Sequence, residues 1–140
     1  MKKIICLCII ALIASNSSIF GQNINISEDS ITTLLCKKWE INYVIMGGMK
    51  IERIPGATEI NYEFNKDKTF LMTSDDPKDK TKGTWSFDPK KKIIRLTING
   101  NSKMKIISIK EGELIMLADT KEATPGDPME IKLYYKIKAK

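Results

Sequence analysis

From Lys38 onward one local device recurs along the chain: apolar side chains at every second position for a few residues, then a turn signal. Trp39, Ile41, Tyr43 and Ile45 fall on one side of an extended chain, and Lys38, Glu40 and Asn42 fall on the other. The stretch Glu59 to Phe64 repeats the pattern, with Ile60, Tyr62 and Phe64 set against Glu59, Asn61 and Glu63. A period of two belongs to a strand with one buried face, whereas a helix needs 3.6. Similar segments follow at Thr69 to Ser74, around Trp85 and Phe87, and at Ile93 to Ile98, Lys103 to Ile109, Glu113 to Ala118 and Met129 to Ile137. Asn65-Lys66-Asp67-Lys68, Asp88-Pro89-Lys90-Lys91, Asn99-Gly100 and Glu111-Gly112 separate several of them, and each is short enough to turn an antiparallel hairpin. Gly47-Gly48 ends the first strand, and Met49 to Thr58 is a long connection with room for a short strand or a lid.

Eight strands in sequential hairpins, each with one apolar face, predict an all-β fold. The arrangement that buries every such face and leaves no exposed edge is an eight-stranded antiparallel up-and-down barrel. An open meander or a two-sheet sandwich is the competing arrangement. With 140 residues the chain has material for one domain. Ahead of the first strand, Ser27 or Ser30 can cap a short helical lead-in, with Glu28 and Asp29 well placed near its positive N-terminus.

The first 21 residues have a different character. Met1-Lys2-Lys3 is a basic start, Ile4 to Ala14 is an apolar run, and small or polar residues follow from Ser15 to Ser18. That order is the pattern of a secretory signal peptide. The run is about eleven residues, well short of the roughly 20 needed to span a bilayer. The expectation is a signal peptide over 1–21, cleaved somewhere between Asn16 and Asn23, and a barrel domain over 22–140 that is secreted or periplasmic. Ile5 and Leu7 precede Cys6 and Cys8, so no lipobox is present and no lipid anchor is expected. Cys36 is then the lone cysteine, too few for an internal disulfide, and reads as a small buried hydrophobe.

Several kinds of chemistry are disfavoured. The chain holds no histidine, which removes the usual general base and the commonest metal ligand. Glu59 and Glu63 lie four residues apart on one strand, hence roughly 13 Å apart, too far for either glycosidase geometry. Asp75, Asp76 and Asp79 are interleaved with Lys78, Lys80 and Lys82 and lack the closing glutamate of a calcium loop. The formal charge is +6, but Arg53 and Arg95 are the sole arginines, which suits a solvated surface better than nucleic acid. No catalytic residues, metal ligands or cofactor are expected, and a monomer is.

Leu34 to Trp39, then Tyr62-Glu63-Phe64 with Asp67 and Thr69-Phe70, then Lys82-Gly83-Thr84-Trp85-Ser86-Phe87 and finally Tyr134-Tyr135-Lys136 form a series. A helical lead-in, a tryptophan on the first strand and an eight-stranded meander make the chain resemble the small lipocalin-like domains of secreted bacterial proteins, over roughly residues 30–138. Three positions depart from that pattern: Lys37 stands two before Trp39 in place of glycine, Lys68 replaces the glycine of a hairpin Asp-Gly, and no arginine after Arg95 can stack over Trp39.

The resemblance and the inward aromatic set (Trp39, Tyr43, Tyr62, Phe64, Phe70, Trp85, Phe87 and Tyr135) imply a barrel that takes a small apolar or amphipathic molecule, or one whose interior these rings fill. The candidate ligand-binding residues are Tyr43, Arg53, Tyr62, Phe64, Met72, Trp85 and Tyr135. Arg53 and Lys50, in the long connection, are the cations placed to meet an anionic head such as that of a fatty acid. The second reading is a filled-barrel structural or interaction module of the cell envelope.

Overall fold

The computed structural model describes residues 24–52, 58–118 and 130–140. The expected signal peptide lies outside them. Among the described residues one helix, α1 (Glu28–Leu35), precedes nine strands: β1 (Lys38–Met46), β2 (Met49–Ile51), β3 (Asn61–Phe64), β4 (Thr69–Thr73), β5 (Lys80–Asp88), β6 (Ile93–Ile98), β7 (Asn101–Lys110), β8 (Glu113–Ala118) and β9 (Ile131–Ile137). Strands β3 to β9 pair antiparallel in sequence order, β1 pairs with β3, and β1 also pairs with β9. Those eight close a barrel, as the alternation predicts. No helix among the described residues is long and apolar enough to cross a membrane.

The helix starts where its sequence says it should. Ser27 has extended backbone and its hydroxyl accepts from the Ser30 amide at 3.3 Å, while Glu28 and Asp29 occupy the first turn. Ile31 and Leu35, four apart and so on one helical face, are both fully buried. They join Trp39, Phe64, Phe70, Trp85, Ile94, Leu114 and Tyr135 in a single core cluster. In an antiparallel meander the start of β1, the end of β3, the start of β4, the end of β5 and the start of β6 lie at one end. The helix therefore plugs that end, and the largest side chains fill it. Trp39 donates its indole N–H to the Leu35 carbonyl at 2.9 Å, and Trp85 donates to the Asn65 carbonyl at 3.1 Å. Both rings are buried without leaving a polar atom unpaired.

The connection after β1 holds the short strand it has room for, while one expectation for β1 itself is corrected, and each has a local cause. The Gly47-Gly48 pair does more than end β1. Its φ values of 55° and 78° form a tight reversal that folds Met49–Ile51 back as β2, pairing Val44, Ile45 and Met46 with Ile51, Lys50 and Met49. Within β1, pairing with β9 slips between Ile41 and Tyr43, so Asn42 is an inserted residue that reverses the faces beyond it. Trp39 and Ile41 point inward as expected, but Val44, 6% exposed, takes the next inward place. Tyr43 faces out and stacks on Tyr134, with ring centroids 4.4 Å apart. The expectation that Tyr43 and Ile45 share a face with Trp39 is thereby corrected.

The second hairpin shows how Lys68 stands in for glycine. Its φ is 68°, the left-handed region that side chains avoid. The conformation carries the ammonium over the Trp85 ring, 4.0 Å from its centroid, and onto the Glu28 carboxylate. The Lys68 carbonyl also accepts from the Trp85 amide at 2.8 Å. Asp67, whose carboxylate accepts from the Thr69 amide at 3.1 Å, fixes the same turn.

Candidate functional site

The hairpin of β1 with β2 changes the barrel wall. Along one edge β1 pairs with β9 from Trp39 to Met46. Its other edge is shared: Lys38 and Trp39 pair with Glu63 and Tyr62 of β3, and Val44 to Met46 pair with β2. Between these two short contacts, Glu40 to Tyr43 have no strand partner on that side among the described residues. The wall is parted there, at the end away from α1.

Behind the parting lies a cavity of about 270 Å³. Ile41, Val44, Ile51, Ile60, Met104 and Leu133 give it an apolar lining, and Tyr62 and Tyr135 border it with rings. The two phenols meet edge to face, 5.5 Å between centroids, and both are about as buried as the core, at 3% exposure. The Tyr62 hydroxyl donates to the Met104 sulfur at 3.3 Å. Among the described residues no hydrogen bond occupies the Tyr135 hydroxyl, although that ring lines the cavity. Burial pushes the Tyr62 phenol up to about 12. Burial, with Tyr62 as neighbour, pushes Tyr135 up further.

The mouth is polar and of one sign. Glu52, Glu59, Asp75 and Thr58 complete the lining. The Glu59 amide donates to the Asp75 carboxylate at 3.4 Å, tying the approach to β3 to the loop after β4. Glu52 is paired at 3.0 Å with Lys50, which also sits 4.5 Å from the centroid of the Tyr43 ring on the outer wall.

The residues picked from sequence are thus divided along the barrel axis. Tyr62 and Tyr135 border the cavity, and Tyr43 borders it from the bulge with its ring stacked outside. Phe64 and Trp85 belong to the filled end, and Met72 packs against that core. Arg53 lies outside the described residues. Lys50 is engaged by Glu52 and is absent from the lining. The lining residues absent from the sequence's candidates are Ile41, Val44, Ile51, Ile60, Met104 and Leu133 on the walls and Glu52, Thr58, Glu59 and Asp75 at the rim. The sequence did carry a signal for Leu133, since Leu133 and Tyr135 alternate on one strand. Val44 was hidden by the bulge.

Cys36, the cysteine among the described residues, is half-buried and packs against the core cluster. Cys36 ends α1, its amide donates to the Thr32 carbonyl at 3.1 Å, and burial raises its pKa above the usual thiol value. No protein-family model, curated protein or solved structure matches this chain.

Proposed function

We propose that this barrel is a binding protein for a small apolar or amphipathic molecule, in the manner of the lipocalin-like domains it resembles. The observation that carries the reading is the division of the interior: one end solid with aromatic side chains beneath α1, the other holding an apolar cavity with two buried phenols. At about 30 Å³ per water, 270 Å³ is the room of about nine waters. That falls just below the usual lower limit of ligand sites, about 300 Å³, and restricts a ligand to about nine or ten non-hydrogen atoms. A long fatty acid would exceed it. A filled-barrel interaction module fits the α1 end but leaves the cavity without a purpose. The basic start and apolar run of residues 1–21 support an exported location, which an intact Met1 on the native protein would exclude.

Trp39 and Trp85 lie in the filled end, so they are poor reporters of the cavity. Thermal denaturation is the better assay, because any ligand of the folded state raises Tm; saturation at 100 times Kd adds about 2.7 kcal/mol. A panel of compact alkyl and aromatic compounds is expected to include members that raise Tm saturably. Leu133→Phe, which fills the cavity, is expected to abolish the effect while leaving the free protein at least as stable. A panel with no saturable member, or one that acts equally on Leu133→Phe, refutes the reading.

A further inference from the structure

Resting on that reading of the cavity, we infer that its ligand carries a positive charge: a small amphipathic amine, its apolar body among the side chains and its ammonium at the rim. The chain as a whole is basic, yet the described residues that line the cavity include three carboxylates, Glu52, Glu59 and Asp75, and no lysine or arginine. Glu52 has a partner in Lys50, whereas Glu59 and Asp75 make no ion pair among the described residues. The Asp75 carboxylate is held at the Glu59 backbone amide, 3.4 Å away, and exposed acidic side chains of one sign at the mouth of the pocket favour a cation there and repel an anion.

The interior gives an independent indication. Tyr135 is 3% exposed, lines the cavity and has no hydrogen-bond partner for its hydroxyl among the described residues. A phenolic oxygen accepts from an N–H donor. Wall and rim therefore ask for one molecule, with an apolar body for the wall and a charged N–H donor for the rim, and the Tyr135 hydroxyl adds a polar acceptor beside the path between them. Of the two cations expected to meet an anionic head, Lys50 is paired with Glu52 and Arg53 lies outside the described residues.

The test keeps the body of the ligand constant and changes its head. Octylammonium, 1-octanol and octanoate have nearly the same volume, which suits about 270 Å³, and their binding to the full domain can be compared by calorimetry at low and high salt. The ammonium is expected to bind about tenfold or more tighter than the alcohol, with octanoate weakest and the preference shrinking as salt screens the rim. In Glu59→Gln/Asp75→Asn the three ligands should converge, with circular dichroism showing an intact barrel. Equal affinities for all three would overturn the charge inference and leave the cavity reading standing. So would an octanoate preference, which Arg53→Ala would then remove. Binding by none of the three would overturn both.

Discussion

Gly83 offers the sharpest test of how tightly the filled end is packed. It lies in β5 directly across from Phe70 of β4. A Cβ built on it would stand 2.3 Å and 2.6 Å from two atoms of the Phe70 ring and 2.6 Å from the Thr97 carbonyl oxygen, where ordinary contact begins at 3.4 Å. The ring would have to retreat by about 1 Å, and with Phe70 only 1% exposed its core neighbours would have to shift with it. The Thr97 oxygen belongs to the backbone of β6 and cannot rotate away. Overpacking of this kind costs about 1–3 kcal/mol, against a gain of about 0.5–1 kcal/mol from replacing a flexible strand glycine. Gly83→Ala is therefore expected to be destabilising by about 1–2 kcal/mol, a Tm fall of about 3–10 °C for a domain of this size. Phe70→Leu removes the obstructing ring at its own cost as a core truncation. In a double-mutant cycle by urea denaturation, Gly83→Ala should cost less in the Phe70→Leu background by about 1 kcal/mol. A Gly83→Ala protein within about 0.5 kcal/mol of the parent, or strictly additive variants, would show that this part of the core is looser than described.

The Lys68 turn and the buried phenols give two more expectations. Lys68→Ala keeps the left-handed strain and loses the contacts with Trp85 and Glu28, whereas Lys68→Gly loses the contacts and the strain together. Alanine should be the worse of the two by about 1 kcal/mol in urea midpoint analysis, and equal midpoints would remove the account of that turn. Tyr62 in the fold is pushed up to about 12, above the value near 10 of an exposed tyrosine. The fold thus holds the neutral phenol: its contribution is complete below pH ~10 and is lost as pH rises from there through about 12. Tyr62→Phe should flatten the decline in stability over that window, and parallel declines for parent and variant would contradict it.

The strand order, the inward face of most strands and the helical lead-in were legible because each rests on local chemistry. Ser27 caps, Asn99-Gly100 reverses the chain with φ values of 51° and 75°, and Tyr62 and Phe64 alternate with Asn61 and Glu63. The bulge at Asn42 was not legible, because one inserted residue leaves the apolar count unchanged while reversing the faces of Tyr43 and Val44. A second slip, between Ile106 and Ser108, does the same in β7. Position along the barrel axis was also hidden. Phe64 and Tyr62 are two residues apart on one face, yet Phe64 lies in the filled end and Tyr62 at the cavity. Pair registers across the closed sheet decide which layer each ring joins, and those are properties of the whole sheet. The charge of the rim was missed for the same reason, since Glu52, Glu59 and Asp75 converge only once β3 and β4 are placed.

The parting beside β1 also sets how the molecule should open. Seven residue pairs join β1 to β9, but two join β1 to β3. A cylinder closed unevenly separates first along its lightest join, so excursions from the native state should begin with β3 leaving β1 while the remaining strands stay paired. Amide deuteration around Trp39 and Tyr62 would then follow a low-energy opening, far below the free energy of global unfolding that governs β6 and β7. A guest in the interior could exchange with solvent on the timescale of that partial opening, so its residence time would be set by two residue pairs and not by the stability of the domain.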